Sequence, residues 1–399
     1  MHIAVIWQRF LPYHAARIRR LRERLAGTGH KLTAIEVASR DASYGFDVAR
    51  PDRIDRLCCF PGVSYHDLKA RDIRSGVLSV LEELKPDVVF APATPFPEGM
   101  AAVSYRMRSG TLAIMMDDAW EHTDRRGSVT RQIKCLIHRN LDGAFIPAPS
   151  HLPYYTALGF PEDRIFFGVD VVDNDYFAEM SMRARLKAPE LREVLGVPAD
   201  YFLFVGRILP RKGLDTLLAA YMVYRSKSVK EPWGLTMVGA GSGIEDVRRK
   251  AGGMEGVVFA GARFGDSLCR YYALAGCLVI PSLSDPWGLV VNEGMASGLP
   301  VIVSRGCGSA KTLVHDGENG WTFEPRDEEA LAGLMIKISG LPAQERMKMG
   351  KESQVIITDW SLERFARGVL QAIEVPRRPS CGLMENMAAR LWNGRVRIN

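Results

Sequence analysis

The sequence predicts an α/β protein of two doubly wound domains, each a parallel sheet with helices on both faces. Three observations carry this. Short apolar runs alternate with amphipathic stretches along nearly the whole chain, the pattern of parallel strands joined by crossover helices. The 399 residues exceed what one ordinary core holds. The alternation also restarts after a charged, helix-like segment, Met180–Glu193, that stops at Gly196 and Pro198.

In the first half the apolar runs His2–Trp7, Leu32–Val37, Val88–Pro92, Leu112–Met116 and Ala144–Ile146 are expected as strands, with helices over Ala15–Ala26 and Arg74–Leu84 between them. The second half gives strands at Tyr201–Val205, Gly234–Val238, Val257–Phe259, Leu278–Ile280 and Pro300–Val303. The boundary falls between Asp175 and Val197, taken as residues 1–176 and 177–360. A long helix, Trp360–Ile373, closes the second half. Pro376 to Ser380 breaks regular structure, and a last amphipathic piece, Met384–Trp392, follows.

Composition narrows the class. Apolar residues make up 47% and charged residues 25%, with a formal charge of +6, ordinary for a globular protein. No run reaches the roughly 20 apolar residues of a membrane span. Met1–Trp7 reads as a buried strand rather than a leader, so a cytoplasmic location is expected. Seven cysteines at positions 58, 59, 135, 269, 277, 307 and 381 contain no Cys-x-x-Cys pair and read as reduced thiols.

Four segments of the second half point to one chemical task. Phe204 to Gly213 is a strand end followed by a loop with Arg207 and Lys212 and a helix start near Gly213. Ligands of doubly wound sheets bind at carboxyl strand ends, and an Arg fork with a Lys point charge suits a pyrophosphate. Gly239-Ala240-Gly241-Ser242-Gly243 resembles a dinucleotide fingerprint but lacks its third glycine at the right spacing; a tight strand-to-helix turn is the better reading. Val257–Arg263 brings a further strand end to the same edge.

The fourth segment, Pro281–Val301, is the most specific. A strand leads to a turn at Asp285-Pro286, and a helix begins near Gly288. Its first-turn amides and dipole make an anion site. Asp285 and Glu293, eight residues apart, are expected on roughly one helical side, where carboxylates accept hydrogen bonds from sugar hydroxyls. The plainer reading makes them a cap and a surface group.

These segments resemble family 4 of the retaining glycosyltransferases, which have the GT-B fold of two Rossmann-like domains facing across a cleft. The family's E-P-F-G-L-x-x-x-E-A-M-A-x-G-x-P-V segment is matched by Asp285-Pro286-Trp287-Gly288-Leu289 through Val301, and its G-R-x-x-x-x-K-G segment by Gly206-Arg207 through Lys212-Gly213. The resemblance implies an NDP-sugar-dependent hexosyltransferase that needs no metal or other cofactor, acting on a glycan or lipid-linked acceptor in bacterial surface polysaccharide synthesis. It implies that Gly206, Arg207 and Lys212 hold the donor diphosphate with the amides of Gly288, Leu289 and Val290. Asp285 would contact the sugar, Glu293 the ribose, and Gly261 to Arg263 the base. It also implies that the closing segment, about 361–399, returns to the first domain. A sugar-nucleotide epimerase or a non-catalytic nucleotide-sugar binder is the alternative.

Three departures stand out. Asp285 is one methylene shorter than the family's first glutamate. Gln8–His14 replaces the usual Gly-Gly loop. The family's first-domain histidine is not evident, and Asp117 is the residue expected in its place, with Asp118 and His122 beside it. Tyr13, His14, Arg17, Asp118 and His122 are assigned to the acceptor side. Asp173-Asn174-Asp175 imitates a metal-binding D-x-D but reads as a helix cap.

The stretch Tyr13–Ala26 reads as a basic amphipathic helix, with Ile18, Leu21 and Leu25 on one face and arginines over much of the rest. It is expected to lie on an anionic membrane surface through residues 15–26; a solvated basic face, or phosphate binding by Arg9 or Arg17, uses the same charge. Nucleic acid is not expected as a partner, because no aromatics interleave the basic run.

Overall fold

A computed structural model describes residues 1–40, 54–124, 127–228, 231–392 and 394. The chain divides into two units, Met1–Val171 with Leu362–Asn399, and Val172–Ser361. The first holds strands β1 (His2–Trp7), β2 (Lys31–Arg40), β3 (Leu57–Ser64), β4 (Val88–Pro92), β5 (Leu112–Met116), β6 (Gly143–Ile146) and β7 (Ile165–Phe167). They form one sheet in the order β3-β2-β1-β4-β5-β6-β7, every pair parallel.

The second unit holds β8 (Tyr201–Val205), β9 (Gly234–Val238), β10 (Val257–Gly261), β11 (Cys277–Ile280), β12 (Val301–Ser304) and β13 (Gly320–Phe323). Their order is β10-β9-β8-β11-β12-β13, again all parallel. Both sheets reverse their winding direction between the first and fourth strands, β1/β4 and β8/β11. That is the topological switch point where such sheets open a crevice at their carboxyl edge.

The expected strands form within a few residues of their anticipated limits. The three unanticipated strands, β3, β7 and β13, all lie at sheet edges. β3 is half-exposed and contains Pro61 and Gly62, β7 has three residues, and β13 begins on Gly320, where a Cβ would meet the Val301 carbonyl oxygen at 1.8 Å. Edge strands need no continuous apolar run, so periodicity does not find them.

Met180–Glu193 is two helices, Asn174–Arg185 and Ala188–Leu195, with Pro189 starting the second. Asp173 caps the first, its carboxylate accepting the Tyr176 amide at 3.1 Å. The helix Leu362–Ile373 packs on β6, β7 and the helix Pro12–Leu25. Gly368 permits this, since a Cβ there would lie 2.6 Å from both the Phe145 ring and the Phe167 carbonyl oxygen.

Candidate active site at the carboxyl edge of the second sheet

The loops after β8 and β11 leave the second sheet side by side at its switch point. They are joined by backbone: the Leu283 and Ser284 amides donate to the Arg211 carbonyl at 2.9 and 3.4 Å. Gly213 makes the approach possible. It has φ +68°, and a Cβ there would sit 2.0 Å from the Pro281 carbonyl oxygen. The result is that Lys212 Nζ donates to Asp285 Oδ2, with the two residues only 9% and 6% exposed. Ser282 Oγ adds a second donor to the same oxygen at 3.4 Å.

Asp285 is held by backbone on both sides. Its amide donates to the Gly306 carbonyl at 2.9 Å, and its carbonyl accepts from the Gly308 amide at 3.0 Å. Gly288 follows with φ +89° and begins the helix Leu289–Ala296. A Cβ at this position would meet Cys307 Sγ at 2.6 Å and Asp285 Oδ2 at 3.6 Å, so only glycine brings the helix start this close to the carboxylate. The first-turn amides of Leu289 and Val290 have no carbonyl within their own helix to bond. Beneath them Trp287 is buried, with Nε1 donating to Asn292 Oδ1 at 2.9 Å.

Glu293 corrects one expectation. Asp285 lies in the loop before the helix, so the eight-residue spacing does not set the two carboxylates by helical phase. Glu293 instead accepts from the buried Tyr272 hydroxyl at 2.7 Å. Burial pushes its pKa up to about 7, and the Tyr272 hydrogen bond opposes the rise.

The Gly-x-Gly-x-Gly segment is a strand-to-helix turn packed on the Arg207 loop. A Cβ at Gly239 would lie 1.9 Å from the Gly206 carbonyl oxygen, and one at Gly241 2.3 Å from that of Ile208. Gly206 donates its amide to Val238 at 3.0 Å, and Gly261 accepts the Gly239 amide at 2.9 Å. Arg207 is half-buried in the same loop, while Arg263 is exposed and donates to the Ala262 carbonyl. Gly206, Arg207, Lys212, Gly261, Asp285, Gly288, Leu289, Val290 and Glu293 therefore belong to one unit, on strand ends, the loops after them and the helix Leu289–Ala296.

In the first unit, Asp117 follows β5, and its Oδ1 accepts the amides of Asp118 and Ala119 at 3.1 and 3.4 Å. Burial raises its pKa, opposed by the Lys134 ammonium. His122 is exposed and stacks on Trp120 at 4.3 Å. His14 stacks on Trp7 at 4.5 Å, with Nδ1 3.0 Å from the Arg9 carbonyl oxygen. Burial drives its pKa well below the usual histidine range, which keeps it neutral. Tyr13 lies under the Arg17 guanidinium at 5.0 Å.

Two expectations for the helix Pro12–Leu25 are corrected. Ile18, Leu21 and Leu25 are buried in the first unit's core, so the helix has no apolar face to offer a membrane. Arg17 is buried too, donating to the Val171 carbonyl at 3.0 Å and to Asp170 at 3.3 Å. It ties down the end of the first unit rather than facing an acceptor. Arg20 and Arg24 pair with Glu363.

Sequence reasoning missed a second network, at the first sheet's own switch point. Gln8 follows β1, and Glu98 starts the helix after β4. Tyr65 joins them: Gln8 Nε2 donates to its hydroxyl at 3.2 Å, and that hydroxyl donates to Glu98 Oε2 at 3.0 Å. Glu98 is fully buried, and burial raises its pKa to about 7. Pro97 at the first helical position, just after a strand end, was the available signal. Tyr272 and Cys307 had none.

Known proteins share the fold and part of the sequence. Residues 199–340 match the family model described as glycosyl transferases group 1. A D-inositol 3-phosphate glycosyltransferase from Thermomonospora curvata is 30% identical over 215 residues, 51% of this chain and 50% of that protein. A GDP-mannose-dependent alpha-mannosyltransferase from Mycobacterium tuberculosis is 28% identical over 364 residues, 84% and 88% of the two chains. Apart from that mannosyltransferase, the matches span about half the length of these curated relatives or less. The structure of HepE from Anabaena in complex with UDP and glucose aligns with TM-score 0.73 at 15% identity, covering 94% of this chain and 99% of that one. The second unit thus contains a group 1 glycosyl transferase domain. The chain as a whole has the GT-B fold of two Rossmann-like domains.

Proposed function

We propose that this protein is a retaining glycosyltransferase that moves a hexose-type sugar from a UDP- or GDP-sugar to a glycan or lipid-linked acceptor, in the synthesis of bacterial surface polysaccharide. The observation that carries the reading is the buried Lys212–Asp285 pair beside the first turn of the helix Leu289–Ala296. A cation, a carboxylate and first-turn helix amides at one sheet edge suit a sugar diphosphate. The mannosyltransferase relative is described as GDP-mannose-dependent, and HepE was solved with UDP and glucose.

In the reaction the bond between the sugar's anomeric carbon and the diphosphate breaks, and the negative charge passes to the leaving oxygen. Lys212, Arg207 and the amides of Leu289 and Val290 stabilise that charge, the largest contribution expected in such catalysis. Asp285 holds hydroxyls of the sugar, and Glu293 accepts from the ribose. The acceptor hydroxyl bonds to the anomeric carbon from the face the diphosphate leaves, and its proton goes to a diphosphate oxygen. Configuration is retained and no metal is needed. Asp117 is assigned the support of positive charge on the sugar by family resemblance.

The test is incubation of the purified chain with UDP-glucose, UDP-galactose and GDP-mannose plus candidate acceptors, following nucleoside diphosphate release and acceptor mass. Transfer by the wild type that is lost in Lys212→Ala supports the reading. Interconversion of the sugar nucleotide without acceptor product would make it an epimerase, and tight donor binding with neither transfer nor hydrolysis would make it a non-catalytic binder.

A further inference from the structure

The last described helix, Leu383–Leu391, is oriented against the usual rule for a surface helix. Such helices turn apolar residues inward and polar ones to water. Here Leu383, Met384, Met387 and Leu391 are 76%, 69%, 50% and 78% exposed. At 3.6 residues per turn they share one arc of about 120° with Arg390 and no other residue. The inward arc carries Glu385, Asn386, Ala388 and Ala389.

That orientation is fixed by bonds on the inner side. Glu385 pairs with Arg139 at 2.9 Å, and its carbonyl accepts from Asn140 at 3.3 Å. Arg74 donates to the carbonyls of Ala389 and Trp392 at 3.3 and 2.9 Å. Trp392 Nε1 donates to the Thr94 carbonyl at 3.0 Å. The apolar arc is therefore presented to the outside by a helix clamped from behind.

We propose that this arc, not the helix Pro12–Leu25, is the surface by which the protein docks on an anionic lipid bilayer. Charge decides the occupant. The one acid of the helix is turned inward to Arg139, and the arc itself carries only a cation. From Pro376 to the end the sequence has arginines at 377, 378, 390, 395 and 397 against the single Glu385. An apolar strip edged by arginine is the chemistry of an interfacial helix, which immerses large side chains at the acyl boundary while its cations meet lipid phosphates. Thr94 lies two residues beyond the end of β4, so the clamp places the helix's end at the carboxyl edge of the first sheet. Docking there would bring that edge to the lipid surface, where a lipid-linked acceptor presents its head. The docking itself does not depend on the glycosyl-transfer reading.

The experiment is co-sedimentation of the full chain with large vesicles of phosphatidylcholine alone, and of phosphatidylcholine containing about a third phosphatidylglycerol. The proposal expects binding to the anionic vesicles, weakened by salt, and at least about tenfold weaker in Leu383→Glu/Met387→Glu. Both substitutions are on exposed positions, so melting should be unchanged. Arg19→Glu/Arg22→Glu in the first helix should weaken binding far less. No sedimentation of the wild type with anionic vesicles overturns the proposal, as does equal binding by the Leu383/Met387 variant. A wild-type dimer that the same variant turns into a monomer, with no vesicle binding by either, would show instead that a second copy covers the arc. Donor binding, read separately by nucleotide-induced stabilisation, is expected to be the same in all these variants.

Discussion

The two sheets of this chain have the same winding order, yet their switch points are furnished differently. At β8/β11 the loops are joined by backbone, and glycine sets the spacing at 213, 239 and 288. Lys212 and Asp285 form a buried charged pair there, and Glu293 accepts a hydrogen bond from Tyr272. At β1/β4 the crevice is filled by side chains of the protein itself: Gln8, Tyr65 and Glu98 bond to one another. The difference teaches that the second edge is spaced by its backbone, whereas the first is furnished side chain by side chain. On the proposed function, the first device would serve the donor and the second the acceptor.

The comparison is broken most sharply at Lys212. Lys212→Ala should lower turnover at least about a hundredfold, the scale of removing one group that stabilises a leaving charge. It also strands Asp285, and removing one partner of a buried pair costs about 3–5 kcal/mol. Lys212→Ala/Asp285→Ala should therefore recover much of the melting temperature and none of the activity. Recovery of both would make the pair structural.

Next in size is the backbone. Gly239→Ala combines φ +153° with a Cβ 1.9 Å from a carbonyl oxygen, so it should destabilise the second unit by roughly 3 kcal/mol or more. Gly110→Ala, at φ +70° with nothing within 4 Å of its Cβ, should cost only about 1 kcal/mol. Urea titration of both variants checks the contrast.

A smaller effect concerns Glu293 and Glu98, each pushed up to about 7 beside a tyrosine hydroxyl. Donor affinity should fall as the pH drops through about 7, because protonated Glu293 no longer accepts a hydrogen bond as a carboxylate. The expected loss is about tenfold, the worth of one charge-assisted bond. Glu293→Gln should flatten that profile. Tyr272→Phe should move its midpoint upward, since the lost hydrogen bond was holding the pKa down.

The smallest effect is on stability in the first unit. Glu98 has a folded pKa above its ordinary 4.5, so it favours folding at low pH, and that contribution is lost as the pH rises from about 4.5 through about 7. Glu98→Gln should therefore gain melting temperature relative to wild type between pH 5 and pH 8. A constant difference across that range would contradict the burial of an ionisable Glu98.

Much of the second edge was legible because its chemistry is written in glycines and charges at fixed spacings. Gly206, Arg207, Lys212, Gly213, Asp285 and Gly288 are contiguous in two short segments, and each geometric demand selects one residue type. Glu293 was legible as a residue but not in its direction, because helical phase was counted from Asp285, which lies outside the helix. The first edge was harder to read. Gln8, Tyr65 and Glu98 come from three distant segments, and only tertiary structure brings them together. Arg17 misled for the same reason: an arginine on an amphipathic helix looks solvated until Asp170 and Val171 are found beside it. Met384–Trp392 was legible as amphipathic, but the side turned inward depends on partners such as Arg74 and Arg139 that lie elsewhere in the chain.

The most direct test of the account is nucleotide-induced stabilisation of the purified chain by UDP, GDP, ADP and their common sugars. At about a hundred times its dissociation constant the true donor should stabilise the fold by roughly 2.7 kcal/mol. The account predicts a clear melting shift with one nucleotide family, absent in Lys212→Ala/Asp285→Ala and reduced in Glu293→Gln. No shift with any of these nucleotides, or a shift of equal size in the double variant, would contradict a sugar-diphosphate site at the carboxyl edge of the second sheet.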